Sequence, residues 1–205
     1  MKIYDADFAA SLTAARDGQI APVYFLYIKA KNRDTAADQP VGIWSGDEDI
    51  TINVEAPDGT TVSRTYYGGC NLDIPNGIPY VADLTDNPVT VTVSQIADTT
   101  QLLVRGYDVR LAYCEIHATT WTGGALTSTP QLQWVGIVDE APISTPAAGS
   151  DGNISFSIRS EIMSQLTLTN PAKSSDSHQK RRLSTDTFCK YSGTIESWNI
   201  QWFKK

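Results

Sequence analysis

Apolar and polar residues alternate along this chain in short runs broken by glycine, proline and polar clusters, the pattern of half-buried β-strands. The first element is an exception. From Asp5 to Arg16, Phe8 and Leu12 recur four residues apart, Asp5 and Asp7 offer capping carboxylates, and Asp17-Gly18 supplies a stop, so a short helix is predicted. Its apolar stripe is narrow (Phe8, Leu12 and Ala15), too small to anchor it firmly alone. The helix is therefore expected outside the β-module, contacting a neighbouring chain or plugging one barrel end. Val23-Tyr24-Phe25-Leu26-Tyr27-Ile28 is aromatic and β-branched throughout and predicts a strand covered on both faces. Asn32 to Pro40 reads as loop, and Val41 to Ser45 as a short strand.

The clearest local signal follows. Ile50, Ile52 and Val54 alternate with Thr51 and Asn53, Pro57-Asp58-Gly59 makes a turn, and Thr61 to Tyr67 continues as β. This is a hairpin, because proline presets φ while Asp and Gly tolerate the tight geometry. Gly68 to Pro88 is a long excursion rich in Gly and Pro. Val89, Val91 and Val93 alternate with hydroxyl residues in a strand with one polar face, and Ile96 to Leu103 fits one or two helical turns. Val109, Leu111, Tyr113 and Glu115 share one face of a further strand that runs on through Ile116 to Trp121 until Gly123-Gly124 breaks it. Leu132, Trp134 and Ile137 lie in a strand in which Gly136 suggests a bulge. Ile143 to Asp151 reads as a linker, and Ile154, Phe156 and Ile158 as one more strand. Ile162 to Leu168 is ambiguous, and Trp198, Ile200 and Trp202 alternate as a closing strand.

About nine strands, one firm helix and frequent turn signals predict a mainly β chain: an antiparallel β-barrel or sandwich with an N-terminal helix and one or two short inserted helices. There is no βαβ rhythm and no repeat of 20–50 residues. Residues 1–205 are read as one domain, with 1–18 a peripheral helix and 173–205 a closing segment.

Charge adds an asymmetry to this picture. The formal net charge is −7 over 205 residues, which disfavours nucleic-acid binding by the chain as a whole. From Lys173 to Lys205, seven basic residues face three acidic ones, so the segment is +4 and the first 172 residues are −11. A basic tail on an acidic body suits docking against an acidic neighbour, a second copy included. Cys70, Cys114 and Cys189 are an odd, widely spaced set, which points to reduced, buried thiols rather than a disulfide framework or a zinc site. No apolar run approaches the ~18 residues of a membrane span. The opening MKIYDADFAASL lacks the regions of a signal peptide, so the chain is expected to be made in the cytoplasm of its host and to stay soluble.

Candidate chemistry is sparse. His117 lies in a strand with Glu115 two residues away, able to orient it, but no G-x-S-x-G elbow offers a nucleophile, and a half-buried strand histidine is the simpler reading. His178 lies in the polar stretch Ser177-His178-Gln179-Lys180-Arg181-Arg182 and reads as solvated or interfacial. Asp47-Glu48-Asp49 runs at once into a strand and reads as a solvated turn rather than a calcium loop. Neither phosphate-binding nor dinucleotide glycine fingerprints occur. Lys180, Arg181 and Arg182 are too few for a nucleic-acid patch and suit either solvent or an acidic partner. Trp198 and Trp202 would be costly on an open surface and read as core or interface anchors. No catalytic, cofactor or metal residue is assigned, and the chain is expected not to be an enzyme; Phe8, Leu12, Lys180, Arg181 and Arg182 are the candidate interface residues.

In order, these features resemble a known family. A short helix (Phe8-Ala9-Ala10-Ser11-Leu12) precedes an aromatic strand. Gly42-Ile43-Trp44-Ser45-Gly46-Asp47, Ile50-Thr51-Ile52 and Thr65-Tyr66-Tyr67 follow, then Gly106-Tyr107-Asp108-Val109-Arg110-Leu111 and Trp134-Val135-Gly136-Ile137-Val138-Asp139-Glu140. Ile154-Ser155-Phe156-Ser157-Ile158-Arg159-Ser160 comes next, and Ser177-His178-Gln179-Lys180-Arg181-Arg182 with Asp186-Thr187-Phe188 closes the series. The succession is similar to the tail-tip (baseplate) hub proteins of long-tailed phages and of gene transfer agents, in which an arginine-rich segment and the turn after it close the β-barrel. The resemblance implies a virion subunit forming a ring, usually a trimer, between the distal tail protein and the central tail fibre protein. Some members hold an iron–sulfur cluster on a C-terminal domain. This chain lacks the four closely placed cysteines that would need, so no cofactor is carried over. Other virion roles (tail tube, connector) share the compositional argument, and a carbohydrate-binding sandwich would use Trp44, Trp121 and Trp134 as a stacking platform.

Overall fold

The computed structural model describes residues 4–80, 85–144, 147, 152–167, 173–199 and 202. It is mainly β, with an antiparallel, curled sheet, an N-terminal helix and a few short helices. By contacts the chain divides into two compact units, Met1–Leu166 and Thr167–Lys205. Among the described residues, no helix is long and apolar enough to cross a membrane.

The elements follow the hydrophobic pattern closely. Helix α1 (Ala6–Ala14) starts where Asp5 accepts the backbone N–H groups of Asp7 (3.0 Å) and Phe8 (3.4 Å). Strands β1 (Pro22–Asn32) and β2 (Asp38–Trp44) pair, the hairpin β3 (Ile50–Glu55) and β4 (Thr61–Tyr66) comes next, and β5 (Val89–Ser94) follows the Gly/Pro-rich excursion. A single helical turn, α2 (Asp98–Gln101), widens into a π-helical turn (Leu102–Gly106) and leads into the long β6 (Tyr107–Thr122). After it come the two-residue β7 (Ala125–Leu126), β8 (Gln131–Glu140), the two-residue β9 (Ile143–Ser144), β10 (Asn153–Ser160) and helix α3 (Glu161–Thr167). The main sheet runs β2-β1-β6-β8-β10-β5, and the hairpin forms a separate two-stranded sheet.

Alternation gives the main sheet two apolar faces. On one face Leu26, Ile28, Ile43, Cys114, Ile116, Val138, Phe156 and Ile158 join Cys70, Leu72 and Ile74 of the excursion and Leu103 of the π-turn in one core. On the other, Val23, Phe25 and Trp44 pack beneath Val54 and Tyr66 of the hairpin. Phe25 stacks on Trp44 (5.5 Å, 11°) and meets Tyr66 edge-on (5.0 Å, 77°). Gly42 lets the hairpin come this close. Its N–H/C=O neighbourhood is bridged to Tyr67, which donates to Gly42 O (2.9 Å) and accepts from Trp44 N (3.1 Å), and a Cβ there would lie 2.5 Å from Thr65 O.

Several expectations are corrected. Strand β2 begins at Asp38, inside the stretch read as loop, because Lys31, Ala30 and Lys29 of β1 pair with Asp38, Gln39 and Pro40. Pro40 is tolerated since β2 is an edge strand. Leu111 does not share a face with Val109. The β1–β6 register slips between Lys29 and Lys31, Leu111 takes a left-handed φ of 59°, and its side chain is 69% exposed. Gly136 is in register with both Cys114 and Ser160. The bulges of β8 flank it, where Leu132/Trp134 oppose His117/Ile116 and Val138/Glu140 oppose Ile158/Ser157. Gly136 serves a close approach instead, since a Cβ would lie 2.3 Å from Arg159 O.

In the unit Thr167–Lys205, the polar stretch around His178 forms helix α4 (Asp176–Arg182). Ser175 caps it by accepting from His178 N (3.3 Å), Asp176 lies in the first turn, and Lys180, Arg181 and Arg182 occupy the last, which suits the helix dipole. Trp198 follows a 3-10 turn (Ile195–Ser197) and is not in a strand, while Ile200 of the expected closing strand lies outside the described residues.

Candidate functional site

The densest chemistry lies under the hairpin. Glu115 and His117 stand two residues apart on β6, so both side chains leave the same face of the sheet as Phe25 and Tyr27, their Cα partners on β1. Arg64 descends from β4 and grips Glu115 with both ends of its guanidinium, Nη1–Oε2 at 2.6 Å and Nη2–Oε1 at 3.3 Å. Its Cζ lies 3.8 Å from the centre of the Tyr27 ring. The Arg64 side chain is 15% exposed and that of Glu115 3%. Burial alone would lower the Arg64 pKa, but the Glu115 carboxylate overrides it and raises it. Burial, then the Glu115 charge, pushes the Tyr113 phenol up as well.

His117 is fully buried, and its Nε2–H donates to Glu55 O (2.8 Å), a carbonyl that can only accept. The nearer Glu115 oxygen is 3.5 Å from the same nitrogen. Glu55 ends β3 and also holds the start of β8. Its Oε2 accepts from Leu132 N (3.1 Å), and its own N–H donates to Pro130 O (3.2 Å). Glu115 thus lies beside His117 as the sequence suggested, but its carboxylate is taken by Arg64. The cluster joins hairpin to sheet from within. The partners Arg64 and Glu55 lie more than 50 residues away in sequence, and no local signal pointed to them.

The other singled-out residues separate. Trp44 is buried, its indole N–H bonded to Glu48 O (2.7 Å), while Trp121 is 42% exposed and Trp134 is partly buried. A platform of three exposed rings is therefore not formed. Asp47, Glu48 and Asp49 are exposed on the turn after β2, where Asp49 accepts from Gly68 N (3.1 Å). Among the described residues, no group of three or more His, Cys, Asp or Glu is placed to hold a metal ion. All three cysteines are buried and free, and burial raises the Cys70 and Cys114 thiol pKa values.

Of the candidate interface residues, Phe8 is 5% exposed, against Tyr4 (5.5 Å), and α1 is tied to β6 by a Ser11–Thr120 hydroxyl bond of 2.7 Å. Leu12 is 39% exposed. On α4, Lys180 pairs with Asp176 (2.7 Å), while Arg181 and Arg182 are exposed. In the short second unit Cys189 is buried, Tyr191 lies tilted against Trp198 (5.1 Å, 54°), and Leu183, Phe188, Ile195, Trp198 and Trp202 are exposed. Composition had pointed to those tryptophans; the aromatic and aliphatic residues beside them had carried no signal of their own. Comparison with protein-family models and with curated proteins gives no match.

Proposed function

We propose that the chain is a non-enzymatic structural subunit that assembles with further copies of itself, and that the assembly is a phage-type tail tip. In this reading it forms a ring, trimeric in the family it resembles, joining the distal tail protein to the central tail fibre protein in the virion. The observation that carries self-assembly is the makeup of the closing unit. A stretch the length of Thr167–Lys205 rarely holds together without disulfides, metal or association. It carries +4 on a body of −11, and Phe188 (92% exposed) and Trp202 (81%) are the kind of side chain that interfaces bury. The tail-tip assignment rests on the ordered motifs and on the curled antiparallel sheet.

Sedimentation velocity on the purified chain tests the first part: species at multiples of 22.4 kDa are expected, and a monomer at all concentrations overturns it. Co-sedimentation with tail-tip proteins tests the second. Self-assembly with no binding to distal tail or fibre proteins would transfer the chain to another part of the particle, such as the tail tube or connector.

A further inference from the structure

Beside the exposed indole of Trp121, an open cleft of about 560 Å³ runs from the start of β1 to the turn after β2. Pro22, Val23 and Trp44 give it apolar walls, and the exposed carboxylates of Asp47 and Glu48 stand at its rim. Among the described residues, the lining contains no lysine or arginine. Asp49 is already engaged by Gly68 N, which leaves Asp47 and Glu48 as the outward acceptors. An aromatic face beside two carboxylates over an apolar floor matches a guanidinium on its aliphatic stem: the ring attracts the cation, the carboxylates take its N–H groups, and the methylenes cover the floor.

We propose that this cleft receives helix α4 of a second copy, with Arg181 and Arg182 entering between Trp121 and the Asp47–Glu48 rim. The proposal rests on the self-assembly reading above and names the surface through which it occurs. Three observations select this occupant. The closing segment is the one strongly cationic stretch of a chain that is otherwise −11. Arg181 and Arg182 are exposed, and among the described residues of their own unit neither has a carboxylate within 4.0 Å, whereas Lys180 is held by Asp176. The cleft is anionic, and among the described residues no cation lines it. A contact between two different surfaces of identical chains is heterologous, so it propagates from copy to copy and closes as a ring where the rotation allows.

The test uses the full chain in two charge-reversed forms, Asp47→Lys/Glu48→Lys and Arg181→Glu/Arg182→Glu. Alone, each form sets like charge against like and is expected to weaken self-association at least about tenfold in sedimentation velocity. Mixed in equal amounts, the lysine-bearing cleft of one meets the glutamates of the other, and its own arginines meet the intact cleft, so association returns. Trp121→Gln should weaken association as well, with an unchanged melting curve, and it serves alone if the cleft charge reversal does not fold. Wild-type association with a cleft variant that assembles normally overturns this site and leaves self-assembly standing. Variants that dissociate singly and are not restored by mixing also overturn it, because the contact then joins other groups or lies within one chain. A wild-type chain that stays monomeric removes both readings together.

Discussion

Arg64→Ala takes away the cation that ties the hairpin β3–β4 to the sheet and leaves the Glu115 carboxylate 3% exposed without its two guanidinium bonds. Of the groups that remain beside it, His117 Nε2 is 3.5 Å away and already committed to Glu55 O, which leaves the Tyr113 phenol as a neutral donor to the carboxylate. Removing one partner of a buried pair costs about 3–5 kcal/mol, because the other charge stays desolvated. The lost stacking on Tyr27 is part of that figure rather than an addition to it. For a chain of this size each kcal/mol moves Tm by about 2–4 °C, so a fall of about 6–20 °C is expected by circular dichroism. Hydrogen exchange should show the amides of Ile50–Glu55 and Thr61–Tyr66 losing protection before those of β1 and β6, since the hairpin is the part set free. The double variant Arg64→Met/Glu115→Leu removes both charges and should recover most of the loss, as apolar replacement of a whole buried pair is often neutral. A fall below about 2 °C for Arg64→Ala, or a double variant as unstable as the sum of the two single ones, would refute the view that this pair staples the hairpin.

Gly42→Ala should be strongly destabilising, by about 2 kcal/mol or more, because its new methyl meets the backbone oxygen of Thr65 at 2.5 Å and the Tyr66 ring at 2.8 Å; a melting curve like that of the parent would mean the hairpin lifts away at little cost. Leu111→Gly should raise stability by about 0.5–1 kcal/mol in denaturant titration, since it relieves a left-handed φ of 59° at an exposed side chain, and a loss of stability would show that Leu111 is held by contacts that outweigh the strain. The Cys70 and Cys114 thiols, raised in pKa first by burial, should resist a thiol-reactive reagent at pH 8 until the protein unfolds; prompt labelling of either in the folded state would show that the core around it opens readily.

Features that depend only on neighbours along the chain are legible without the fold. Alternation of Ile50, Ile52 and Val54, or of Ile154, Phe156 and Ile158, fixes a strand and its buried face because successive side chains point to opposite sides of a sheet. Asp5 before Phe8 fixes a helix start because a cap reaches only two or three residues. Pro57-Asp58-Gly59 fixes a turn for a similar reason, and Gly59 takes φ 81° in open space. The signals misread were those whose meaning depends on a strand elsewhere. Leu111 continues the alternation on paper and points to solvent because β1 has fewer residues opposite it than β6 supplies. Gly136 looks like a bulge and is instead a place where β10 passes too close for a side chain. Asp38 to Pro40 looks like loop and is strand because Lys29 to Lys31 pair with it. The polar cluster was half legible: Glu115 and His117 share a face by their spacing, but Arg64 and Glu55 reach them only once the hairpin folds over β1 and β6. Tertiary structure also decided that Trp44 enters the core while Trp121 stays at a cleft mouth. Burial is a property of the whole packed face and is set by which strands become neighbours, an outcome of long-range pairing that no window of local sequence contains.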